Sequence, residues 1–378
     1  MKPLTQILKL KLFIFLILIV FISENCELNQ SKIQTLKREI NRLSSKHIID
    51  KSLEVFETKL EKVNGKWTLH GETTNKMLFE SINTTCDSLF NSERFKNNVQ
   101  LLPDSLLGDS LYAIINVSVT PIKDKPSHSS QIIDQGLMGN QLKLLRFENG
   151  WYLSQTHYDY VGWVNKTAIQ ICDSNQIKDW NSSNLVRVSM INDHIYSEPN
   201  LNSQPISDIV LNNKLKLINK NVYWSLIQLS DKRFGYIRNT SFIKETDKIE
   251  NPIQTRLRIA HQMMGTPYLW GGNSSKGNDC SGFTQNIFEA SGIQLPRDAR
   301  QQALYGEEII PDNIWSNIQP GDLLFFGKED RVTHVGMSLG QYDFIHQGGM
   351  VTINSLAKNS TLFAPKRFDT FLFIKRIH

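Results

Sequence analysis

The chain has 378 residues, of which 40% are hydrophobic and 10% aromatic, so it can form the cores of about two to four small domains. This composition excludes an intrinsically disordered protein. The formal net charge is +5, and it falls to +2 when the three lysines within residues 1–23 are removed. Such a small charge gives no support to nucleic-acid binding, and we expect no nucleic-acid partner.

The N-terminus has the layout of a secretory signal. Lysines come first, and the apolar run over residues 12–22 is too short for a typical membrane span. We interpret residues 1–25 as a signal peptide or a lipoprotein signal, with an uncleaved anchor helix as the alternative. Cys26 resembles the lipidated cysteine of bacterial lipoproteins, although Asn25 replaces the usual small residue. The prediction is a secreted protein of the periplasm or cell envelope, attached to the membrane if Cys26 is acylated.

The cysteines do not have the spacing of a metal site. Cys26, Cys86, Cys172 and Cys280 form no CxxC pair and no zinc-ligand pattern. We therefore expect no metal and no cofactor. Cys86 and Cys172 are expected to be unpaired core residues, and a disulfide between them is the alternative.

Residues 27–108 predict a small module of helices and strands. A helical stripe of apolar residues is followed by a short strand over 67–70 and a second helix after a break at 71–74. The stripe consists of Ile33, Leu36, Ile40 and Leu43. No chemical motif is present, so we interpret this module as a spacer or packing domain.

An internal repeat occupies the middle of the chain. A constant offset of 73 residues aligns Pro126 with Pro199 and Trp151 with Trp224. Both copies consist of short alternating runs separated by turn residues, which predicts small β-barrels over residues 110–170 and 183–245. The copies resemble the bacterial SH3-like domains of cell-wall proteins, including the closing Gly-Trp-Val or Gly-Tyr-Ile.

Residues 252–378 predict an α+β domain. A helix over 253–264 precedes a segment rich in glycine and aromatic residues, and a second helix begins near Cys280. Several strands follow, and this order of helices before strands is typical of an α+β fold. The predicted strands cover residues 323–326, 332–339, 344–346, 351–353 and 371–377.

Cys280 is the candidate nucleophile of this domain. It lies in the first turn of a predicted helix, with Asp279 as the cap and Phe283, Ile287 and Ala290 on one face. Free amides and the helix dipole at such a position favour an anion, so we expect the thiol to ionise more readily than usual. The alternative is an inert, buried cysteine.

His334 and His346 are the candidate partners of Cys280. If residues 340–342 form a three-residue hairpin loop, Gly336 lies opposite His346 and the two histidines share one face. Cys280 would then attack a carbonyl carbon, with its own backbone amide as one oxyanion donor. His334 would act as general base and acid, and His346 would orient it.

The motifs of this domain resemble those of the NlpC-type family of bacterial cell-wall cysteine peptidases. They are Tyr268, Trp270-Gly271-Gly272, Asp279-Cys280-Ser281-Gly282, Leu295-Pro296-Arg297-Asp298, Pro320-Gly321-Asp322-Leu323, His334-Val335-Gly336 and His346. The resemblance covers the C-terminal third and implies a papain-like core with Cys280, His334 and His346 as the catalytic set. It also implies hydrolysis of the γ-D-glutamyl bond to an L-diamino acid, diaminopimelate or lysine, in peptidoglycan stem peptides or murein fragments.

The whole architecture resembles family members with two SH3-like domains ahead of the peptidase domain. In these relatives the first SH3-like domain forms one wall of the cleft and helps select a free N-terminal L-alanine. The matching substrate-binding positions are Tyr160, Tyr268, Trp270, Asp279, Ser281 and Asp298, with Asp298 as the partner of the substrate amine. Lys125 departs from the acidic residue often found in such relatives, and Asp124 is a candidate to replace that residue's function.

Two other functions remain open from the sequence. The protein could be a cell-wall peptide-binding module with an inactive peptidase domain, or another cysteine hydrolase on the same core, such as an amidase or a lipid thioesterase. The intact Cys280, His334 and His346 argue against the binding module. Asp298 and the repeated barrels favour a peptide with a cationic end over a lipid. We expect the protein to act as a monomer.

Overall fold

The structure, a computed structural model, describes residues 30–90 and 95–378. The predicted signal over residues 1–25 and the predicted lipidation of Cys26 lie outside the described residues. The chain divides into two compact units at the boundary between Asp104 and Ser105. In the described ranges, no helix has both the length and the apolar character needed to span a membrane.

The first unit combines two helices with a three-stranded sheet. Its elements are α1 (30–47), β1 (Phe56–Val63), β2 (Lys66–Thr73), α2 (Lys76–Leu89) and β3 (Phe95–Leu101). The sheet has the order β1-β2-β3, and α2 connects the parallel pair β2 and β3. Asn75 caps α2 by accepting a hydrogen bond from the Leu78 amide at 3.0 Å. The predicted stripe of α1 is confirmed, because its four apolar residues are buried in the core together with the free thiol of Cys86.

The second unit begins with a seven-stranded antiparallel barrel. Its strands are β4 (Tyr112–Ile115), β5 (Val119–Lys123), β6 (Ile132–Leu137), β7 (Gln141–Glu148), β8 (Trp151–Thr156), β9 (Val161–Asn165) and β10 (Ile169–Cys172). They are ordered β10-β4-β7-β8-β9-β5-β6. Helix α3 (Ser174–Ser182) follows, and Asp173 and Gln176 form a capping box at its start. Cys172 is buried and unpaired.

The second barrel repeats this plan. Its strands are β11 (Leu185–Val188), β12 (Asn192–Tyr196), β13 (Pro205–Val210), β14 (Lys214–Lys220), β15 (Trp224–Gln228), β16 (Phe234–Arg238) and β17 (Phe242–Lys244). A β-carbon added to Gly162 would lie 2.4 Å from Ile122, and one added to Gly235 would lie 2.4 Å from Ile195. These two close contacts are related by the 73-residue repeat offset, so each barrel needs glycine at the same point.

The C-terminal domain packs four helices and two short strands around a six-stranded antiparallel sheet. The helices are α4 (Pro252–Gln262), α5 (Cys280–Ala290), α6 (Ala299–Gln302) and α7 (Pro365–Asp369). The strands are β18 (Asn273–Ser274), β19 (Gly277–Asn278), β20 (Glu307–Ile309), β21 (Leu323–Lys328), β22 (Arg331–Gly340), β23 (Asp343–Gln347), β24 (Val351–Ser355) and β25 (Phe371–Arg376). The large sheet has the order β20-β25-β21-β22-β23-β24. The predicted α+β class is confirmed.

One hydrophobic core joins α5 to the sheet. Phe283 and Ile287 are fully buried and pack with Val335 and Met337 of β22. Val335 and Met337 therefore face the core. Because the other face of β22 then carries His334, the packing of α5 determines on which side of the strand the imidazole lies.

A buried arginine connects this domain to the first barrel. Arg297 Nε contacts Asp134 Oδ1 at 2.6 Å, and its Nη2 contacts Asp279 Oδ2 at 2.6 Å. The side chains of Arg297 and Asp134 are 2% and 0% exposed. Tyr158 donates a second hydrogen bond to Asp134 at 2.6 Å. The two carboxylates raise the pKa of Arg297 well above its usual value, so the guanidinium stays charged.

The chain also needs glycine at this connection. Gly271 has φ = 70°, and a β-carbon there would lie 2.5 Å from the carbonyl oxygen of Ile132 in the first barrel. Beside it, the Asn273 amide donates to Gln135 Oε1 at 2.8 Å. The segment before Cys280 is therefore held directly against β6.

Replacement of Arg297 by methionine should lower the free energy of unfolding by about 3–5 kcal/mol, because Asp134 would lose its counter-ion inside the protein. The measurement is urea unfolding of the full chain followed by tryptophan fluorescence. The control is Arg233→Met, because Arg233 is 46% exposed and pairs with Asp231 at the surface. The control should cost less than about 1 kcal/mol. Equal losses in the two variants would contradict the importance of the buried network.

Candidate active site

Cys280 is the first residue of α5, and Asp279 caps that helix. Asp279 Oδ1 accepts from the Gly282 amide at 2.8 Å, and Oδ2 accepts from the Gly271 amide at 3.1 Å. A β-carbon on Gly282 would lie 2.0 Å from the Gly272 carbonyl oxygen, so glycine allows the helix to approach this loop. The Gly-rich segment, the cap and the start of α5 thus hold the cysteine backbone in one position.

The thiol of Cys280 is harder to ionise than the sequence predicts. Burial, and secondly the negative charge of Asp279, raise its pKa to about 11. A hydrogen bond from the Val335 backbone and the charge of Arg297 oppose this effect but are weaker. The expectation of easy ionisation is therefore wrong for the substrate-free molecule, because desolvation outweighs the field of the helix start.

The two predicted histidines are in direct contact. His334 Nε2 and His346 Nδ1 are 2.8 Å apart, and the two rings are perpendicular. In the pairing of β22 with β23, Met337 lies opposite Ile345 and Ser338 opposite Phe344. The same register places Gly336 opposite His346. This confirms that the histidines share one face. A β-carbon on Gly336 would lie 2.9 Å from the His346 Cβ, so glycine makes room for the second ring.

The hairpin loop differs in detail from the prediction. Gly340 pairs with Asp343, so only Gln341 and Tyr342 lie between the paired residues, and the register shifts between Ser338 and Gly340. The irregularity at Leu339 supplies the extra residue that a two-residue loop lacks. The histidines consequently keep the register that a three-residue loop would give.

Asn354 of β24 extends the hydrogen-bonded chain and was not predicted. His346 Nε2 lies 2.8 Å from Asn354 Oδ1, and Asn354 Nδ2 donates to the Leu362 carbonyl at 3.4 Å. The second contact assigns the oxygen of the amide to His346, so His346 carries its proton on Nε2. Its Nδ1 then accepts from His334 Nε2, and His334 Nδ1 is left without a proton.

Both imidazoles are neutral near neutral pH. Burial, followed by the charge of Arg367, lowers the pKa of His334 well below its usual value. Burial lowers the pKa of His346 to about 4, although the hydrogen bond that His346 donates to Asn354 opposes this. Together with the raised thiol pKa, this gives a resting site of neutral thiol and neutral imidazole. For Cys280 to act as a nucleophile, its thiol proton must move to another group.

Cys280 lies beside the strand that carries the general-base candidate. The Val335 backbone that hydrogen-bonds to Cys280 is the immediate neighbour of His334 in β22. The Cys280 thiol at the start of α5 therefore lies next to β22, the strand that carries His334. The imidazole of His334 is oriented by His346 and Asn354. Such an arrangement can activate a thiol for attack on a carbonyl carbon.

A second group of predicted residues lies where the first barrel meets the C-terminal domain. Tyr160 donates to Asp298 Oδ1 at 3.2 Å, and Asp298 also pairs with Arg300 at 3.0 Å. Burial raises the pKa of Tyr160, so its hydroxyl remains a donor. Asp298 caps α6 in a capping box with Gln301. Asp298 is thus both a helix cap and the partner of Tyr160.

The remaining predicted substrate contacts fall into two classes. Tyr268 and Trp270 are 39% and 61% exposed, so both rings are accessible to a ligand. Asp279 and Ser281 are buried and hydrogen-bond to Arg297 at 3.0 and 3.1 Å. Their side chains therefore belong to the network that connects the domain to the first barrel.

Lys125 is exposed at the turn after β5. Its carbonyl accepts from Ser130 at 2.8 Å. Lys123 is the buried lysine of that strand, and its Nζ donates to the carbonyls of His128 and Ser130 at 2.8 and 2.7 Å. The departure noted at Lys125 thus places an additional positive charge at the surface of the first barrel.

In the described ranges, no cluster of three or more histidine, cysteine or acidic side chains has the geometry of a metal site.

The missed residues of the site are Asn354, Arg297 and Arg367. The alternation of Thr352 and Asn354 with apolar neighbours is a strand signal that reaches one residue beyond the predicted strand. A strand extended in this way would have placed Asn354 on the same face as the residue paired with His346.

Comparison with known proteins identifies two domains. The NlpC/P60 family matches residues 265–364, and the family described as bacterial dipeptidyl-peptidase SH3 domain matches residues 122–169. Dipeptidyl-peptidase 6 of Lysinibacillus sphaericus is 27% identical over 268 residues, which cover 66% of this chain and 94% of that protein. A gamma-D-glutamyl-L-lysine dipeptidyl-peptidase of Bacillus cereus is 25% identical over 234 residues, covering 58% and 68% of the two chains.

A solved structure gives the same fold. The NlpC/P60 family protein from Bacillus cereus superimposes with a TM-score of 0.61 at 21% sequence identity. The superposition covers 70% of this chain and 99% of that chain. The shared fold thus includes regions ahead of the C-terminal domain, since that domain alone is about one third of the sequence.

The histidine chain predicts specific protonation states that NMR can measure. In full-length protein labelled at histidine nitrogens, His334 and His346 should both be neutral at pH 6.5 and carry the proton on Nε2. His346 should titrate near pH 4. Replacement of each histidine by alanine assigns the signals. A doubly protonated ring at pH 6.5, or a proton on His334 Nδ1, would contradict the assigned hydrogen bonds.

Asn354→Asp provides a sharper version of this experiment. A carboxylate beside His346 Nε2 stabilises the imidazolium, so the pKa of His346 should rise by about 1–3 units. The matched control is Asn359→Asp, since Asn359 is exposed in the loop after β24 and its added charge is screened by solvent. A pKa of His346 that is the same in both variants would show that Asn354 is not its partner.

Proposed function

We propose that this chain is a cysteine peptidase that cleaves peptidoglycan stem peptides. The premise is that its residues 265–364 match the NlpC/P60 family and its residues 122–169 match the bacterial dipeptidyl-peptidase SH3 domain. The scissile bond is that between the γ-carbonyl of D-glutamate and an L-diamino acid. The observation that carries the proposal is the hydrogen-bonded series His334–His346–Asn354 beside Cys280. The two relatives named as dipeptidyl-peptidases support the choice of substrate.

Cys280 is the nucleophile of the proposed reaction. His334 Nδ1 accepts the thiol proton as the sulfur attacks the γ-carbonyl carbon, which forms a tetrahedral oxyanion. The raised thiol pKa means that attack and proton transfer are coupled, because a free thiolate is scarce at neutral pH. The backbone amide of Cys280, at the start of α5, is a donor for the oxyanion.

His334 then acts as general acid. It returns the proton to the amine of the diamino acid, the C–N bond breaks, and an acyl-thioester remains on Cys280. A water molecule that gives its proton to His334 attacks this thioester, and the peptide acid leaves as the thiol regains a proton. His346 and Asn354 keep the His334 tautomer constant through both steps.

Recognition of the substrate amine is assigned to Asp298. Its carboxylate lies where the first barrel and the C-terminal domain meet, and Tyr160 holds it from the barrel side. An ammonium group of N-terminal L-alanine would gain a charge-assisted hydrogen bond from this carboxylate. The rings of Tyr268 and Trp270 provide exposed apolar surface for the peptide.

Secretion is part of the proposal. Residues 1–25 act as the export signal, Cys26 is the acylation site if the protein is a lipoprotein, and the mature protein works as a monomer in the cell envelope. The substrate supports this location, since peptidoglycan lies outside the cytoplasmic membrane.

The proposed reaction requires the sulfur of Cys280. Purified protein incubated with L-Ala-γ-D-Glu-diaminopimelate should release L-Ala-γ-D-Glu, and Cys280→Ala should reduce the rate by at least about a thousandfold. Mass spectrometry of the products measures both. Cys172→Ala is the control, because Cys172 is a buried thiol in the first barrel and its removal should leave the rate unchanged. Equal inactivity of all three proteins would favour the peptide-binding module instead.

Asp298 should determine the preference for a free amine. Wild-type protein should use the free peptide at least about tenfold better, by kcat/KM, than the same peptide acetylated at L-alanine. Asp298→Asn should remove most of this preference by slowing only the free peptide. Competition between the two peptides in one reaction gives the ratio directly. A ratio that Asp298→Asn leaves unchanged would remove the assigned role.

A further inference from the structure

Arg367 is a charged residue beside the proposed catalytic histidines that the reaction scheme does not yet use. It lies on α7, between the loop after β24 and strand β25. Its guanidinium carbon is 5.7 Å from the ring centroid of Phe326, whose ring in turn lies 5.7 Å from that of His334. Phe326 also pairs with His334 across β21 and β22. Arg367 is therefore separated from the general base by a single aromatic ring.

Arg367 has no acidic partner among the described residues. Neither an ion pair nor a side-chain hydrogen bond involves its guanidinium in residues 30–90 and 95–378, although the side chain is half-buried. Two other arginines of this domain have acidic partners, since Arg297 is held by Asp134 and Asp279, and Arg376 by Asp322. A half-buried guanidinium without a counter-ion is unfavourable in the free protein, and a bound anion would relieve that cost.

The charge of Arg367 also acts on the catalytic groups. It lowers the pKa of both His334 and His346, and the Cys280 sulfur acts on Arg367 in turn. A cation here opposes the imidazolium that must form when His334 accepts the thiol proton. An anion supplied by the substrate would cancel this opposition during the reaction.

The position of Arg367 selects one side of the substrate. His334 must reach the nitrogen of the leaving amine to protonate it, so the leaving group lies on the His334 side of the sulfur. Asp298 and Tyr160 are assigned to the opposite, N-terminal end of the peptide. Arg367 contacts the Phe326 ring, which lies next to the His334 ring. Arg367 therefore lies on the side of the leaving diamino acid.

We propose that Arg367 binds a carboxylate of the leaving diamino acid and so favours acidic leaving groups. This inference rests on the proposed function. Two carboxylates provide the same chemistry: the α-carboxylate of a terminal diamino acid, and the side-chain carboxylate that diaminopimelate has and lysine lacks. Peptides that carry either, both or neither of these groups distinguish the two sources.

The test compares four tripeptides that begin with L-Ala-γ-D-Glu. They end in lysine, lysine α-amide, diaminopimelate, or diaminopimelate that is amidated only at its α-carboxylate. The wild-type kcat/KM should be about tenfold or more higher for at least one carboxylate form than for lysine α-amide. If the α-carboxylate is bound, lysine exceeds its amide. If the side-chain carboxylate is bound, the amidated diaminopimelate exceeds lysine α-amide.

Variants of the chain assign the effect to the guanidinium. Arg367→Gln should bring the ratio between the favoured peptide and lysine α-amide close to one, and Arg367→Lys should retain part of it. Lys366→Gln is the matched control, because Lys366 is an exposed cation on the same helix. It should leave the ratio unchanged. Each ratio is measured within one protein preparation, so a loss of folded protein does not alter it.

The outcomes separate this inference from the proposed function. Cleavage of all four peptides with the same ratio in wild-type and Arg367→Gln protein would overturn the role of Arg367 and leave the reaction intact. A wild-type ratio near one would also overturn it. Absence of cleavage for every peptide would instead contradict the proposed function, on which this inference depends.

Discussion

The buried Arg297 is the interaction on which the proposed site depends. Its guanidinium binds Asp134 of the first barrel and Asp279, the cap of the helix that begins with Cys280. A charge this deeply buried is stable only when its partners stay in place, because the loss of either leaves an unpaired ion inside the protein. One network therefore positions Cys280, the first barrel and the loop with Tyr268 and Trp270. The barrel is part of the site in this account.

The second constraint is electrostatic. Burial keeps both the Cys280 thiol and the His334 imidazole neutral, so the protein does not store a thiolate before substrate binds. Preparation of the site consists of orientation, through His346 and the Asn354 amide that fixes its tautomer. In the proposed reaction, charge develops only when a carbonyl carbon is present. Such a site limits side reactions of the thiol, because the thiolate is the reactive form of cysteine.

Much of this arrangement follows from sequence. The helix face below Cys280, the alternation in β22 and the shared face of His334 and His346 are local patterns, and the structure confirms them. Other features depend on contacts between distant segments. Arg297 and Asp134 are 163 residues apart, so no periodicity relates them. The pKa of Cys280 was mispredicted because a sequence displays the helix start but does not give the depth of burial, which has the larger effect.

The most direct measurement of the central claim is the mass of the enzyme during turnover. Protein mixed with L-Ala-γ-D-Glu-diaminopimelate and quenched rapidly in acid should carry an L-Ala-γ-D-Glu acyl group, and peptide mapping should place it as a thioester on Cys280. Hydroxylamine should remove the group, as expected for a thioester. An acyl group on another residue would contradict the account. So would continued hydrolysis, without an adduct, by a protein in which alanine replaces Cys280.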